Sequence, residues 1–205
     1  MSLRDRIVAA ALADLARAPV EGDLEGDAWI TENIIKPVFG KGHTPKNTSY
    51  CLMGVARWLR LAGFHDCDGM ASVGKVLYNW APRVGAHVYP NKPKARDVRK
   101  PIPGDIVLHQ GKPNGWHGHG MLCLGYDADS GRVLVMEANH SKSMGPSGKA
   151  YTFGTYGEDQ TRRAGIGMRW LHLDDPYISC WLRVPSVVCS VEIQEKRTTA
   201  HGGPQ

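Results

Sequence analysis

The hydrophobic period changes once along this chain, near Pro82, and that change constrains the fold more than any other feature. Before it, apolar residues recur three and four apart, the spacing of one helix face. After it, they alternate in short runs bounded by Gly, Asp and Pro, the pattern of strands and turns. Helices first and strands after predict an α+β domain, with the helices packed on an antiparallel sheet. A chain of 205 residues is long enough for one such domain with a sizeable core.

Leu3, Ile7, Ala11 and Leu15 fall on one face and predict a first helix over 3–17. The same stretch loosely imitates a signal peptide, but Asp5 sits in the would-be basic region and Asp14 cuts the apolar run short. A second helix is expected over 28–38. A third is expected over 51–61, with Leu52, Val55, Leu59 and Ala62 on its apolar face. Asn47, Thr48 and Ser49 offer N-cap side chains for it, and Gly63 a stop. A fourth fits 71–81. Strands are expected over 105–109, 119–126, 132–138, 166–173 and 177–184. The turn formers in YDADSGR join the second and third of these as a hairpin. From Ser190 the chain is polar and reads as a mobile tail.

Apolar residues make up 42% of the chain and charged residues 22%, ordinary for a globular protein. No apolar run approaches the roughly 20 residues a membrane-spanning helix needs, so no membrane partner is expected. The net charge of +5 suits attraction to an anionic polymer, nucleic acid or cell wall. The basic stretch NKPKARDVRK contains proline, reads as a solvated loop and accompanies no nucleic-acid motif. Cysteines stand at positions 51, 67, 123, 180 and 189, an odd number with no C-x-x-C pair. This argues against a disulfide framework and for synthesis in a reducing compartment.

Three places carry potential chemistry. Cys51 opens the third helix, where the partial positive charge of a helix N-terminus favours thiolate over thiol. By itself a cysteine there is more often a small buried hydrophobe. His119, in WHGHGMLCLG, stands between two glycines at the start of an apolar strand, from which its ring can be aimed at a helix tip. His117 competes for that role from the preceding loop. Glu137 and Asn139, in VLVMEANHS, lie two apart on one strand face with Val133 and Val135. A carboxylate on an inward face needs a partner. Glu137 can accept the second ring N–H of His119 and fix its orientation, and Asn139 offers the same without charge. His119 and Glu137 are separated by about one hairpin, which puts them on adjacent strands. The ordered set Cys51, His119, Glu137 and Asn139 predicts nucleophile, base and orienting groups.

With those residues in view, TSYCLMGVARWLRLAG resembles the nucleophile helix of CHAP-type peptidoglycan hydrolases, cysteine- and histidine-dependent amidases and peptidases related to the NlpC-type cell-wall peptidases. The run PIPGDIVLHQGKPNGWHGHGMLCLGYDADSGRVLVMEANHS is similar to that family's core, with its Pro-Gly-Asp strand, Gly-His strand, turn and Glu-x-Asn strand. The likeness covers residues 44–141. It implies a papain-like fold and cleavage of a peptidoglycan amide through a thioester, with no cofactor or metal. By position it makes Cys51 nucleophile, His119 base, Glu137 its orienter and Asn139 a support. The family's usual glutamine before the cysteine is replaced by Tyr50, which leaves the oxyanion donor open among the Cys51 backbone N–H, Tyr50 and Asn47. Trp116 could line a substrate groove. Residues 1–43 then read as a helical extension, 44–189 as the catalytic domain and 190–205 as the tail. A wall substrate without a clear export signal implies delivery by a phage or a secretion system, and an injected effector would need an immunity partner.

Two rival classes fit parts of the pattern. A zinc hydrolase could use the His117/His119 pair with Glu137, His140 or Cys123, although no H-E-x-x-H motif is present. A catalytically inert wall-binding module would suit six tryptophans and the positive charge.

Overall fold

A computed structural model describes residues 1–17, 24–45, 49–92, 99–110, 118–140 and 165–186. Helices α1 (Leu3–Arg17), α2 (Leu24–Ile30), α3 (Lys36–Phe39) and α4 (Cys51–Leu61) come first. The short turns α5 (Val73–Lys75) and α6 (Ala81–Arg83) follow. Wider π-helical turns, Thr31–Ile35 and Val76–Trp80, join α2 to α3 and α5 to α6. The strands are β1 (His87–Pro90), β2 (Ile106–His109), β3 (His119–Asp127), β4 (Arg132–His140), β5 (Gly165–His172) and β6 (Ile178–Arg183). They form one antiparallel sheet in the order β1-β6-β2-β3-β4-β5. The fold is therefore α+β, as the change of period predicts. Among the described residues no helix is long and apolar enough to cross a membrane.

The first helix buries Leu3, Ile7, Ala11 and Leu15, the face its periodicity marks. α4 spans the predicted range and ends where Gly63 turns the chain at φ 91°. Its predicted cap is different. Tyr50 is the N-cap residue and makes no side-chain cap bond. The second helical stretch begins earlier than expected, at Leu24, and the fourth runs from Val73 to Arg83 rather than over 71–81. β1 was not predicted: it is a short edge strand ending in Pro90, with little burial to impose a period.

The two sheet faces do different work. Ile106, Leu108, Leu122, Met136, Ala138, Cys180 and Leu182 pack with α1, α4 and the 30–35 turn in one core. Val107, Met121, Cys123, Val133, Val135, Leu171 and Trp181 form a second cluster on the other face. The sheet curls toward that face: the Asn91 amide, just past β1, donates to the carbonyls of Leu173 and Ile178, bringing opposite edges of the sheet together. Asp105 of the Pro-Gly-Asp run has a structural role. Fully buried, it accepts Arg183 Nε at 3.0 Å and Nη2 at 2.8 Å and the Ile102 N–H, tying β2 to β6.

Candidate active site

Helix α4 comes down close onto the sheet through one glycine on each, Gly54 on the helix and Gly120 on β3. A Cβ on Gly120 would fall inside the side chain of buried Leu52, and one on Gly54 would lie 2.7 Å from the Ala138 Cβ. Gly120 therefore serves the approach of the helix rather than the exposure of the neighbouring ring: His119 is buried, as is Cys51. The helix tip thus lands at the start of β3. There the Cys51 sulfur is hydrogen-bonded with the Gly120 backbone N–H, the His119 imidazole and the Ser49 hydroxyl, whose oxygen lies 3.9 Å away.

His119 reaches the other way with Nε2, 2.9 Å from Glu137 Oε2. This leaves Nδ1 for the sulfur. The reach is a diagonal one across the hairpin, because the β3–β4 ladder pairs Glu137 with Met121. Glu137 is wholly buried. The Arg169 guanidinium grips it, Nε at 2.7 Å from Oε1 and Nη2 at 3.3 Å from Oε2. Arg169 stands on β5 and supplies the opposite charge that a buried carboxylate requires. Nothing local in the sequence marks Arg169 for this contact, which is made across the sheet.

Charge separates Cys51 from the other described cysteines. Burial pushes its thiol up, but the facing His119 charge, that ring's hydrogen bond, the Gly120 amide and Ser49 outweigh burial and bring it down to about 7. Burial pushes Cys67 and Cys123 up to about 12 and raises Cys180 as well. For His119, burial pulls the ring down, yet the Cys51 sulfur and Glu137 raise it to about 10. The two groups titrate as one unit, and between those values the unit is a thiolate facing an imidazolium.

Asn139 departs from its expected place. The β4–β5 register slips between Glu137 and His140, and Asn139 takes a left-handed φ of 58°. Its amide donates to Ser49 Oγ at 3.2 Å instead of facing His119. A period-two reading cannot see such a bulge. Ser49, expected only as a cap, is drawn into the site between Asn139 and the sulfur. Tyr50 is buried, its hydroxyl included, within the helix-side core. Asn47, Trp116 and His117 lie outside the described residues. His109 pairs with His119 across β2–β3 and faces Asp175 at 3.3 Å. Among the described residues no group of three or more His, Cys, Asp and Glu side chains is placed to hold a metal ion.

No family model matches the chain, and no curated protein matches it by sequence. A solved structure described as the crystal structure of Ly7917 is similar to it at 14% identity with a TM-score of 0.41. That match covers 91% of this chain and 63% of the other, so this chain spans less than two thirds of that structure's length.

Proposed function

We propose that this chain is a cysteine amidase or endopeptidase with a papain-like fold of the CHAP kind, acting on an amide bond of bacterial peptidoglycan. The observation that carries the chemistry is the buried His119 ring held between the Cys51 sulfur and the Glu137 carboxylate. The substrate class rests on the resemblance of residues 44–141 to that family.

In this reading the thiolate attacks the carbonyl carbon and the carbonyl π electrons move onto oxygen. As the tetrahedral adduct collapses, the carbon–nitrogen bond breaks and His119 gives its proton to the leaving nitrogen. The product is a thioester on Cys51 and a free amine. Neutral His119 then takes a proton from water, the hydroxide adds to the thioester, and the acid leaves as the thiolate returns. Glu137 holds the ring in place throughout and faces its positive charge whenever the ring is protonated. Two routes of delivery suit such an enzyme, a phage lysis or tail particle and an injected antibacterial effector guarded by an immunity protein.

Digestion of purified sacculi, followed by mass spectrometry of the soluble muropeptides, tests this. Wild-type protein should release fragments with new amino termini, and a folded Cys51→Ala variant should release none. Equal release by Cys51→Ala removes the nucleophile assignment. Intact sacculi after wild-type treatment, across walls of different stem and cross-bridge chemistry, remove the substrate class.

A further inference from the structure

Ser49 is exposed, while its neighbours Tyr50 and Cys51 are buried. A solvent-accessible residue thus stands beside a buried sulfur. The Ser49 hydroxyl is within hydrogen-bonding range of Sγ at 3.9 Å, and its oxygen accepts the Asn139 amide at 3.2 Å. A serine hydroxyl has one proton to give and lone pairs to fill. The Asn139 amide fills a lone pair. A thiolate only accepts, so the serine proton is directed at the sulfur.

The geometry points to Ser49 as a catalytic residue that donates a hydrogen bond to the Cys51 thiolate at rest and to the substrate carbonyl oxygen once the sulfur has attacked, with Asn139 as the positioning residue that orients it. This rests on the acyl-transfer reading above. The oxygen of the adduct is two bonds from sulfur, and a useful donor lies about 3 Å from it. A hydroxyl 3.9 Å from the sulfur serves both positions with a small rotation. The second donor is the Cys51 backbone N–H, in the first turn of α4. No proton leaves Ser49: negative charge moves from sulfur to oxygen, and the hydrogen bond follows it. Asn139 supplies its amide from a left-handed conformation that asparagine tolerates better than most residues. Ser49 thereby fills the side-chain donor role that buried Tyr50 is badly placed to fill.

The test uses the full chain and needs no cell wall. Alkylation of Cys51 by iodoacetamide, followed by peptide mass spectrometry across pH, reads thiolate formation. Acylation by p-nitrophenyl acetate, measured where the thiolate is fully formed, reads stabilisation of the adduct. Ser49→Ala should move the alkylation midpoint to higher pH and slow acylation at full ionisation by about tenfold to a hundredfold. Ser49→Thr, which keeps the hydroxyl, should recover most of the loss. Asn139→Gly keeps the left-handed turn and deletes the amide, and should give an intermediate loss. A folded Ser49→Ala protein that acylates at the wild-type rate overturns the proposal. Equal losses in Ser49→Thr and Ser49→Ala overturn it too, because they would trace the effect to packing. Failure of the wild type on sacculi would count against the peptidoglycan reading alone, since both measurements here proceed without that substrate.

Discussion

Cys51 and His119 carry opposite charges in a place where burial alone would leave both neutral, and pH is the direct handle on that pair. In the proposed reaction a thiolate attacks and an imidazolium protonates the leaving nitrogen. The rate constant kcat/KM should therefore rise as pH climbs through about 7, where Cys51 ionises, and fall as pH passes about 10, where His119 loses its proton. Removing the sulfur removes the largest influence that raises the ring. In Cys51→Ala the imidazole should titrate well below its wild-type value, read by NMR of the ring nitrogens, and an unchanged titration would refute the coupling. Glu137→Gln should cost less activity than Cys51→Ala, because orienting the base contributes less than forming the bond. The glutamine would also leave Arg169 facing an uncharged amide, so its cost should appear in urea stability as well as in rate. The three central residues were legible because each has a local mark: a helix start, a glycine-flanked strand start, a carboxylate among valines. Arg169 and Ser49 have no such mark. Their roles come from contacts made across the sheet and onto a loop.

Helix α4 and strands β3 and β4 meet at two glycines, and the separation between these elements sets the distance from sulfur to ring. Gly54→Ala sets two effects in opposition. Alanine favours the helix by about 1 kcal/mol. Its methyl group would meet the Ala138 methyl at 2.7 Å, and neither group can swing aside. Overpacking of this kind costs about 1–3 kcal/mol, so the balance should be a net destabilisation of up to about 2 kcal/mol in urea unfolding. The helix should also ride away from the sheet, and Cys51 alkylation at neutral pH should slow. A stabilised Gly54→Ala protein with unchanged alkylation would show that the contact yields freely. Elements were read well where one face is buried and the period is clean, as in α1, α4 and the β3–β4 hairpin. The π-helical turns at Thr31–Ile35 and Val76–Trp80, the edge strand β1 and the bulge at Asn139 were not read, because each breaks or lacks the period that carries the signal.

At the scale of the molecule, the helix bearing Cys51 is held between the sheet and α1. The order of helices and strands made the class of fold legible, but the strand order and the curl of the sheet come from pairings between distant segments, which no local pattern records. One such link is the buried carboxylate of Asp14 on α1. It accepts Arg57 Nε at 2.8 Å and Nη2 at 3.2 Å, and Trp58 Nε1 at 3.0 Å, all from α4. The residue that spoils the N-terminal stretch as an apolar run is thus the one that fastens it to α4. Asp14→Ala removes the counter-charge of Arg57, which keeps the Asn33 carbonyl at 3.4 Å and the Trp29 ring, and takes the acceptor from an indole N–H. For a fully buried pair the loss would be about 3–5 kcal/mol, and because the Arg57 side chain is 19% exposed the lower end, about 3 kcal/mol, is expected. The urea midpoint reads this directly. Adding Arg57→Met should return part of the loss, since it removes the uncompensated charge. Neither side chain touches the Cys51 sulfur, so the midpoint of iodoacetamide alkylation should stay at its wild-type pH while the protein remains folded. A shifted midpoint would mean that the clamp on α4 sets the position of the helix tip, and that α1 belongs to the machinery of the site as well as to its support.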